Sequence, residues 1–446
     1  MKDEIVAMLN AGPLDVSRLK PLLSGMNTVD MAEIFENLSR EEKITLFRLL
    51  PKAAAAEVFA YMESGGQQII VEALTDAEIS EIMNHLFVDD AVDFIEEMPA
   101  NVVNRVLRNV LPEKRKIINQ VLQYPENSAG SLMTTEYVDL REDLTVREAF
   151  AIIRKTGLNK ETIYTCYVMR RDRTLAGAVS AKTLLLAQHE ERIGDIMDAN
   201  VIFAYTTDDQ EASAGLFKRY GFLSLPVVDK EKRLVGIITV DDIVEVIEEE
   251  NTEDFEKMNA LRPSDEPYLK TSIMKLAKNR IVWLLVLMLS ATITGGIIAQ
   301  FENALAILPV LVAFIPMLMD TGGNAGSQSS TLIIRGMALG EIGIRDCIRV
   351  LWREIRIGAL CGLALGSVNF IRIYVMNGKN LPLACVVTAS LFFTIMTAKS
   401  VGCILPIIAK RFNIDPAIMA APLITTIVDA ASLIIYFSIA KALFQL

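Results

Sequence analysis

Apolar residues recur at spacings of three and four in Met31–Leu38, Ile44–Leu50, Ile79–Leu86 and Val102–Leu111, the period of one helix face. Turn or cap signals at Ser39, Ser64-Gly65-Gly66, Thr75-Asp76 and Pro112 separate these runs. The pattern predicts short amphipathic helices over residues 1–130, which bury their faces only by stacking into a helical array or superhelix. From Leu132 the texture turns β-rich and repeats itself. Cys166-Tyr167-Val168-Met169 followed by Leu175–Ser180 corresponds to Leu225-Pro226-Val227-Val228 followed by Leu234–Thr239, at a constant offset of 59. Each copy reads strand, polar turn, strand, helix, and a leading helix recurs as Val146–Ile153 and Glu211–Phe217.

Glu245–Asp254 then opens a charged helix predicted to reach Lys257–Leu261, before Pro263 and Pro267 break it. Beyond it lie five hydrophobic segments, at about 281–301, 305–334, 352–375, 383–409 and 416–441. Each is long enough for a hydrocarbon core of about 30 Å. The second is interrupted at Asp320-Thr321-Gly322-Gly323, the fourth holds Lys399 and the fifth Asp429.

Charge divides the chain the same way. Residues 1–270 carry 48 acidic and 30 basic side chains, net −18, whereas 271–446 carry 7 and 14, net +7. The apolar fraction of 52% and the long apolar runs exclude a purely soluble protein. Net negative charge argues against nucleic-acid binding and suits cations. The five cysteines form no CxxC pair, so neither a disulfide framework nor a zinc site is indicated. Basic residues cluster before the first span (Lys275, Lys278, Arg280), between the second and third (Arg335 to Arg356) and after the fourth (Lys410, Arg411). The positive-inside rule therefore predicts a cytoplasmic N-terminal half and an external C-terminus in a multi-pass cell-membrane protein. MKDEIVAMLNAG lacks the form of a signal peptide.

A carboxylate in mid-span is costly unless it meets water, a partner or an ion. Asp429 therefore reads as part of an ion path, with Thr425 on the same helix face and Thr426 beside it. Its other reading is a structural pair with Lys399. The stretch Pro316–Ser330, with Gly322, Gly323 and Asn324, implies a broken or closely packed helix at membrane depth. The donors are all oxygens, and His85 and His189 lie outside the spans, which favours Mg²⁺, Ca²⁺ or Mn²⁺ over zinc or copper. A lone Asp429 per chain implies a symmetric dimer with two copies about one axis. Outside the spans, acids gather at Asp89-Asp90 with Asp93, at Asp208–Glu211 and from Asp241 to Asp254. They are either solvated faces or a place where a divalent cation compacts like charges.

The repeated strand pairs resemble a tandem pair of CBS domains. The whole chain resembles the MgtE family of magnesium channels, through Tyr124-Pro125-Glu126-Asn127-Ser128-Ala129-Gly130, Gly322-Gly323-Asn324-Ala325-Gly326-Ser327-Gln328, and Asp415-Pro416-Ala417 followed by Thr425-Thr426 and Asp429. The resemblance implies a multidomain membrane protein: an all-α superhelical N-domain (1–130), an α/β CBS pair (131–193 and 194–250), a connecting plug helix (251–272) and a five-helix transmembrane domain (273–446). It implies a homodimeric pore for passive Mg²⁺ uptake, no enzyme, closed by cytosolic Mg²⁺ at Asp89, Asp93, Asp209, Glu211, Asp242, Glu245, Glu250, Glu253 and Asp254. Gly221 stands where the family can carry an acid, which weakens or removes one such site. The resemblance extends to ATP at the CBS pair, where Thr239 and Asp242 offer a hydroxyl and a carboxylate for ribose; Ser180-Ala181-Lys182-Thr183 in the first repeat lacks the acid. No P-loop supports ATP-driven pumping. The alternatives are a carrier of broader divalent range, including Mn²⁺, Co²⁺ or Ca²⁺, and a membrane-anchored nucleotide sensor without flux.

Overall fold

A computed structural model of the chain describes residues 21–23, 25–264, 268–269, 271–419 and 421–444. The N-terminal MKDEIVAMLNAG and the expected breaker Pro267 lie outside the described residues. The chain divides into two units, Met1–Ile247 and Glu248–Leu446.

The first unit begins with short helices: α1 (Thr28–Glu36), α2 (Arg40–Phe47), α3 (Lys52–Ala60), α4 (Ser64–Ala73), α5 (Asp76–His85), α6 (Val88–Glu96), α7 (Ala100–Asn109) and α8 (Pro112–Val121). Their starts follow local chemistry. Asn27 caps α1, reciprocal Ser39–Glu42 and Thr75–Glu78 capping boxes open α2 and α5, and Pro112 takes the first turn of α8. Helices pack on the next but one, α1 on α3, α3 on α5, α5 on α7, α2 on α4 and α6 on α8, while α4 reaches α7, as in a superhelical stack. Phe35, Phe47, Phe59 and Phe94 run through it edge to face, with centroids 6.2, 6.3 and 5.0 Å apart.

Two three-stranded sheets follow, β1 (Asp139–Arg141), β2 (Thr165–Met169) and β3 (Leu175–Ser180), then β4 (Ala204–Tyr205), β5 (Ser224–Val228) and β6 (Leu234–Thr239). In each the first pair is parallel and the second antiparallel. The repeat extends to detail: both antiparallel pairs shift register at the same position, Val168/Met169 and Val227/Val228. Gly177 and Gly236 occupy equivalent close approaches, where a Cβ would meet Met197 and Asp198 O, or Met133 and Thr134 O, at 2.9 Å or less. Helix α9 (Val146–Thr156) precedes β2, and α10 (Ala181–Leu186) and α11 (Ile193–Ile196) follow β3. Helix α12 (Gln210–Tyr220) precedes β5. The core beneath the N-terminal helices continues into Leu225, Val227, Ile238, Ile243 and Val246 of the second repeat.

One uninterrupted helix, α13 (Val240–Met258), carries the chain from the first unit into the second. It runs through residue 250, where the sequence places the end of the second repeat, and stops before Pro263.

The second unit contains α14 (Ile273–Gln300), α15 (Glu302–Ile307), α16 (Ile315–Ala338), α17 (Cys347–Met376), α18 (Leu381–Arg411) and α19 (Ala421–Phe444). Among the described residues, four stretches, Ile273–Gln300, Ile344–Met376, Leu381–Arg411 and Pro416–Phe444, are long and apolar enough to cross a membrane. The fifth long helix, α16, has 24 residues and is more polar. It is continuous, so of the two forms expected for Pro316–Ser330 the closely packed one is present and the broken one is not. Small residues make the packing. A Cβ on Gly322 would meet Thr394 at 2.7 Å and Val428 at 2.9 Å, and one on Gly323 would meet Thr425 at 2.9 Å. Gly358, Gly362 and Gly366 seat Met396, Phe392 and Thr388 along the α17–α18 seam. Helix α14 buries no residue within the unit and packs mainly on α19.

Candidate functional site

The densest electrostatic feature of the first unit is a group of carboxylates from three parts of the sequence. Asp89, Asp90 and Asp93 stand on α6, whose buried stripe (Val88, Ala91, Val92, Phe94, Ile95) fixes its rotation. Asp241, Asp242 and Glu245 stand in the first turns of α13, and Glu161 lies in the loop before β2. Burial pushes the Asp89 carboxyl well above the usual range, with repulsion from Asp242, Asp90 and Glu161 adding to it. Burial raises Asp90 to about 6, partly offset by a backbone hydrogen bond and by Lys114. Asp242 also rises to about 6 through burial, though Thr239 donates to it from Oγ1 at 2.6 Å. Glu161 is raised to about 8 by burial and by Asp90, Asp242 and Asp241, and its Oε2 is buried without a hydrogen-bond partner. Asp93 keeps an open side to solvent, yet the protein around it, then Asp242, Asp90 and Glu245, pushes it up to about 8.

The nearby cation is Lys114, itself lowered by burial and supported by Glu136, Asp89 and Asp90. It donates to the Leu86 carbonyl. Among the described residues no group of three or more His, Cys, Asp or Glu side chains is arranged to hold a metal ion directly. Helix α6, the loop before β2 and the first turns of α13 bring these carboxylates into one electrostatic neighbourhood. Sequence pattern does not single out Glu161, which follows a 3₁₀ turn with nothing local to distinguish it from a solvated acid.

The other expected sensor residues lie elsewhere. Asp209 caps α12, accepting from the Glu211 amide at 2.9 Å, and both side chains are exposed. Gly221 ends that helix at φ +66°, a left-handed position that explains glycine there on backbone grounds. Glu250, Glu253 and Asp254 belong to the part of α13 in the second unit. There Lys257 bridges Glu253 at 2.6 Å and Asp415 at 2.7 Å. Burial and the proximity of Asp415 raise the Asp254 carboxyl. Arg335, in the last turn of α16, reaches Asn251 at 3.4 Å.

In the helix bundle, Asp429 is half-buried on α19, one turn beyond Thr425 and Thr426, whose hydroxyls donate to the Pro422 carbonyl at 2.9 and 3.1 Å. Its charged neighbour is Asp320 on α16. Asn324 Nδ2 donates to Asp320 Oδ1 at 3.2 Å, and Asp320, Asn324 and Gln328, four residues apart, form an exposed polar line on that helix. Gly322 and Gly323 allow Val428 and Thr425 of α19 to approach, which sets this line beside Asp429. The structural pairing of Asp429 with Lys399 is not formed. Lys399 turns instead to Ser329 at 3.2 Å and Glu354 at 3.9 Å. Helix geometry makes these side chains diverge, something the count of charges per span does not reveal.

The CBS-like repeats start their last helices alike: Ser180 caps α10 through the Thr183 amide at 3.0 Å, and Thr239 is tied to Asp242 at the equivalent position. An open cleft of about 560 Å³ lies on the first repeat, lined by Ser180, Lys182, Thr183, Leu186 and Glu191 among others.

Apolar helices of membrane-spanning length with a line of hard oxygen donors, together with an acidic helix-and-sheet unit, define a membrane protein built to handle a hard divalent cation. Residues 315–439 match the family described as divalent cation transporter, 26–127 the MgtE intracellular N domain, and 129–190 and 193–249 the CBS domain. The chain is 36% identical over 436 residues to the magnesium transporter MgtE of Thermus thermophilus, covering 97% of this chain and 96% of that one. It is 33% identical over 442 residues to that of Bacillus subtilis, covering 98% and 96%. The chain belongs to the MgtE family of magnesium transporters. Among solved structures, the cytosolic domain of the Mg²⁺ channel MgtE in complex with ATP is similar over 52% of this chain and 95% of that one, at 35% identity and a TM-score of 0.50. The soluble part of a magnesium transporter matches at 26% identity and a TM-score of 0.52, over 56% and 97%.

Proposed function

We propose that this magnesium transporter is a homodimeric, passive Mg²⁺ channel whose path runs beside Asp429, Thr425, Thr426 and Asn324, with Gly322 and Gly323 letting α16 and α19 close on one another. The observation that carries this reading is the exposed Asp320–Asn324–Gln328 line next to half-buried Asp429 in a largely apolar bundle. Such a polar face in a membrane requires water or a second copy opposite it. Helix α14, which buries nothing within one chain, supplies surface for lipid or for that copy. A potential of 100 mV is worth about 4.6 kcal/mol to a divalent ion, at roughly 2.3 per charge, so inward flow needs no pump.

Closure follows cytosolic Mg²⁺. Hydrated Mg²⁺ among Asp89, Asp93, Asp242 and Glu245, and further ions at Asp209, Glu211, Glu250, Glu253 and Asp254, offset the repulsion described above and favour one compact arrangement. The domains are taken as 1–130, 131–193, 194–250, the connecting plug segment 251–272, whose helical part ends at Met258, and 273–446. The N-terminal domains face the cytoplasm and the C-terminus lies outside. ATP occupies the CBS pair, a reading supported by the ATP complex of a relative's cytosolic domain and by Lys182 in the first-repeat cleft; Thr239 and Asp242 are the second-repeat contacts.

The test is Mg²⁺ uptake into liposomes holding the purified protein, wild type against Asp429→Ala, at several internal Mg²⁺ concentrations. Uptake should collapse in the variant and fall in the wild type as internal Mg²⁺ rises. Unchanged flux in Asp429→Ala removes the pore assignment, and flux indifferent to internal Mg²⁺ removes the gating scheme.

A further inference from the structure

Among the described residues, Glu354 and Lys399 are the charged side chains buried in the membrane unit, 7% and 6% exposed. They come from different helices, α17 and α18, and meet on a third. Ser329 of α16, 1% exposed, donates to Glu354 Oε2 at 2.6 Å and accepts from Lys399 Nζ at 3.2 Å. The ammonium and carboxylate are 3.9 Å apart, so the hydroxyl completes the bridge. Burying two charges costs more than their attraction commonly returns, and apolar side chains of the same volume would hold three helices together at least as well. What the network adds is direction. Ser329 lies on the buried side of α16, next to Gln328 of the exposed polar line. At the same level α16 and α18 are in backbone contact, since a Cβ on Gly402 would come within 2.2 Å of the Gly326 carbonyl oxygen. That contact sets the separation of the two helices; the seats of Gly322 and Gly323 against α19 confine rotation about the α16 axis, and the Ser329 hydroxyl adds the directional tie that fixes it.

We propose that Ser329, Lys399 and Glu354 are positioning residues that set the rotational register of α16 and thereby the distance of its oxygen donors from Asp429, on which discrimination between divalent ions depends. The proposal rests on the path assigned to Asp429 and the α16 face. A displacement of about 1 Å in a positioned group is enough to alter a rate by tens of fold, and ions of similar size, such as Mg²⁺ and Mn²⁺, differ in how readily they exchange water for such donors.

The experiment measures Mg²⁺ and Mn²⁺ uptake into liposomes for the full-length protein, wild type and Ser329→Ala, Lys399→Met and the charge-balanced pair Glu354→Gln with Lys399→Met. Rates are normalised to folded protein, and Asp429→Asn is run in parallel. The ratio of the two rates should move by about tenfold in each variant, including the balanced one, which leaves no uncompensated buried charge and should fold. A ratio equal to wild type in Ser329→Ala and in the balanced variant, whatever happens to yield, shows that the network only holds the bundle together and overturns the proposal. Full Mg²⁺ flux in Asp429→Asn would instead overturn the path on which it rests, an outcome separable from the first.

Discussion

Lys257, in the last turn of α13, donates from Nζ to Asp415 Oδ2 at 2.7 Å, while Asp415 Oδ1 accepts from the Ala417 amide at 2.8 Å. One carboxylate thus ties the charged helix to the turn that leads into α19, the helix of Asp429. Burial works against the Lys257 ammonium, yet its bonds to Asp415 and Glu253 hold its pKa up, so it stays charged at every physiological pH. A fixed cation among Glu253, Asp254 and Asp415 competes with Mg²⁺ for them. Lys257→Gln should therefore lower the internal Mg²⁺ concentration that half-closes the channel by about tenfold, the effect of roughly 1.4 kcal/mol from one charge a few ångströms away near solvent. Flux at graded internal Mg²⁺ checks this; a midpoint moving upward would mean that the Lys257–Asp415 bond itself holds the closed state.

The first unit should lose stability as pH rises in the absence of divalent ions. Asp90 and Asp242 titrate near 6 and Glu161 near 8 in the folded chain, against about 4 when unfolded. Between those limits the native state binds more protons than the unfolded state, so unfolding free energy decreases with pH, beginning near 4 and ending above 8. Each kcal/mol lost should lower Tm by about 2–4 °C in a unit of this size. Mg²⁺ should flatten the slope and release protons on binding at pH 7. Melting curves from pH 5 to 8.5 with and without Mg²⁺ decide it; a Tm that climbs with pH in metal-free buffer contradicts the cluster's electrostatics.

The repeat at offset 59 makes the antiparallel pairs β2–β3 and β5–β6 legible, because pairing and turn chemistry are local, whereas the short parallel strands β1 and β4 and the shared register shift have no such signal. The short N-terminal helices were legible for the same reason: Thr75–Glu78 and Ser39–Glu42 announce their own helix starts. Partner choice across the fold was not. Lys399 and Asp429 are each conspicuous as charges in apolar spans, yet which of them faces Glu354 depends on three helix rotations that no single span records. Glu161 joins the acidic cluster through tertiary folding of a loop, and Gly221, which stands where the resemblance allows an acid, also ends α12 at φ +66°, a backbone demand that residue spacing does not display.

Glycine substitutions should separate contact from conformation. Gly402→Ala places a methyl 2.2 Å from the Gly326 carbonyl oxygen, a backbone atom that cannot step aside, and should cost about 3 kcal/mol or more in bundle stability. Gly221→Ala meets open space but a left-handed backbone, and should cost about 1–2 kcal/mol. Gly295→Ala and Gly296→Ala on α14 meet nothing within 4 Å and should be close to neutral in a single chain. Thermal stability in detergent orders these; loss of stability at Gly295 or Gly296 would reveal a second copy packed against α14.

Glu161→Gln joins the cluster's two properties in one variant. The wild-type carboxyl has a buried oxygen without a hydrogen-bond partner and is repelled by Asp90, Asp242 and Asp241. Replacing it by an isosteric amide removes a carboxyl that Mg²⁺ binding would ionise, leaves the shape, and offers donors to the acids around it. Metal-free protein should therefore become more stable, by about 1 kcal/mol, and less dependent on pH above 6. The same loss weakens attraction for Mg²⁺, so half-closure should need more internal ion. Stability and affinity thus move in opposite senses, a signature that general damage to the fold cannot produce. If Glu161→Gln lowers the metal-free Tm, the residue is a structural acceptor; if closure is unchanged, it lies outside the field that the regulatory cation experiences.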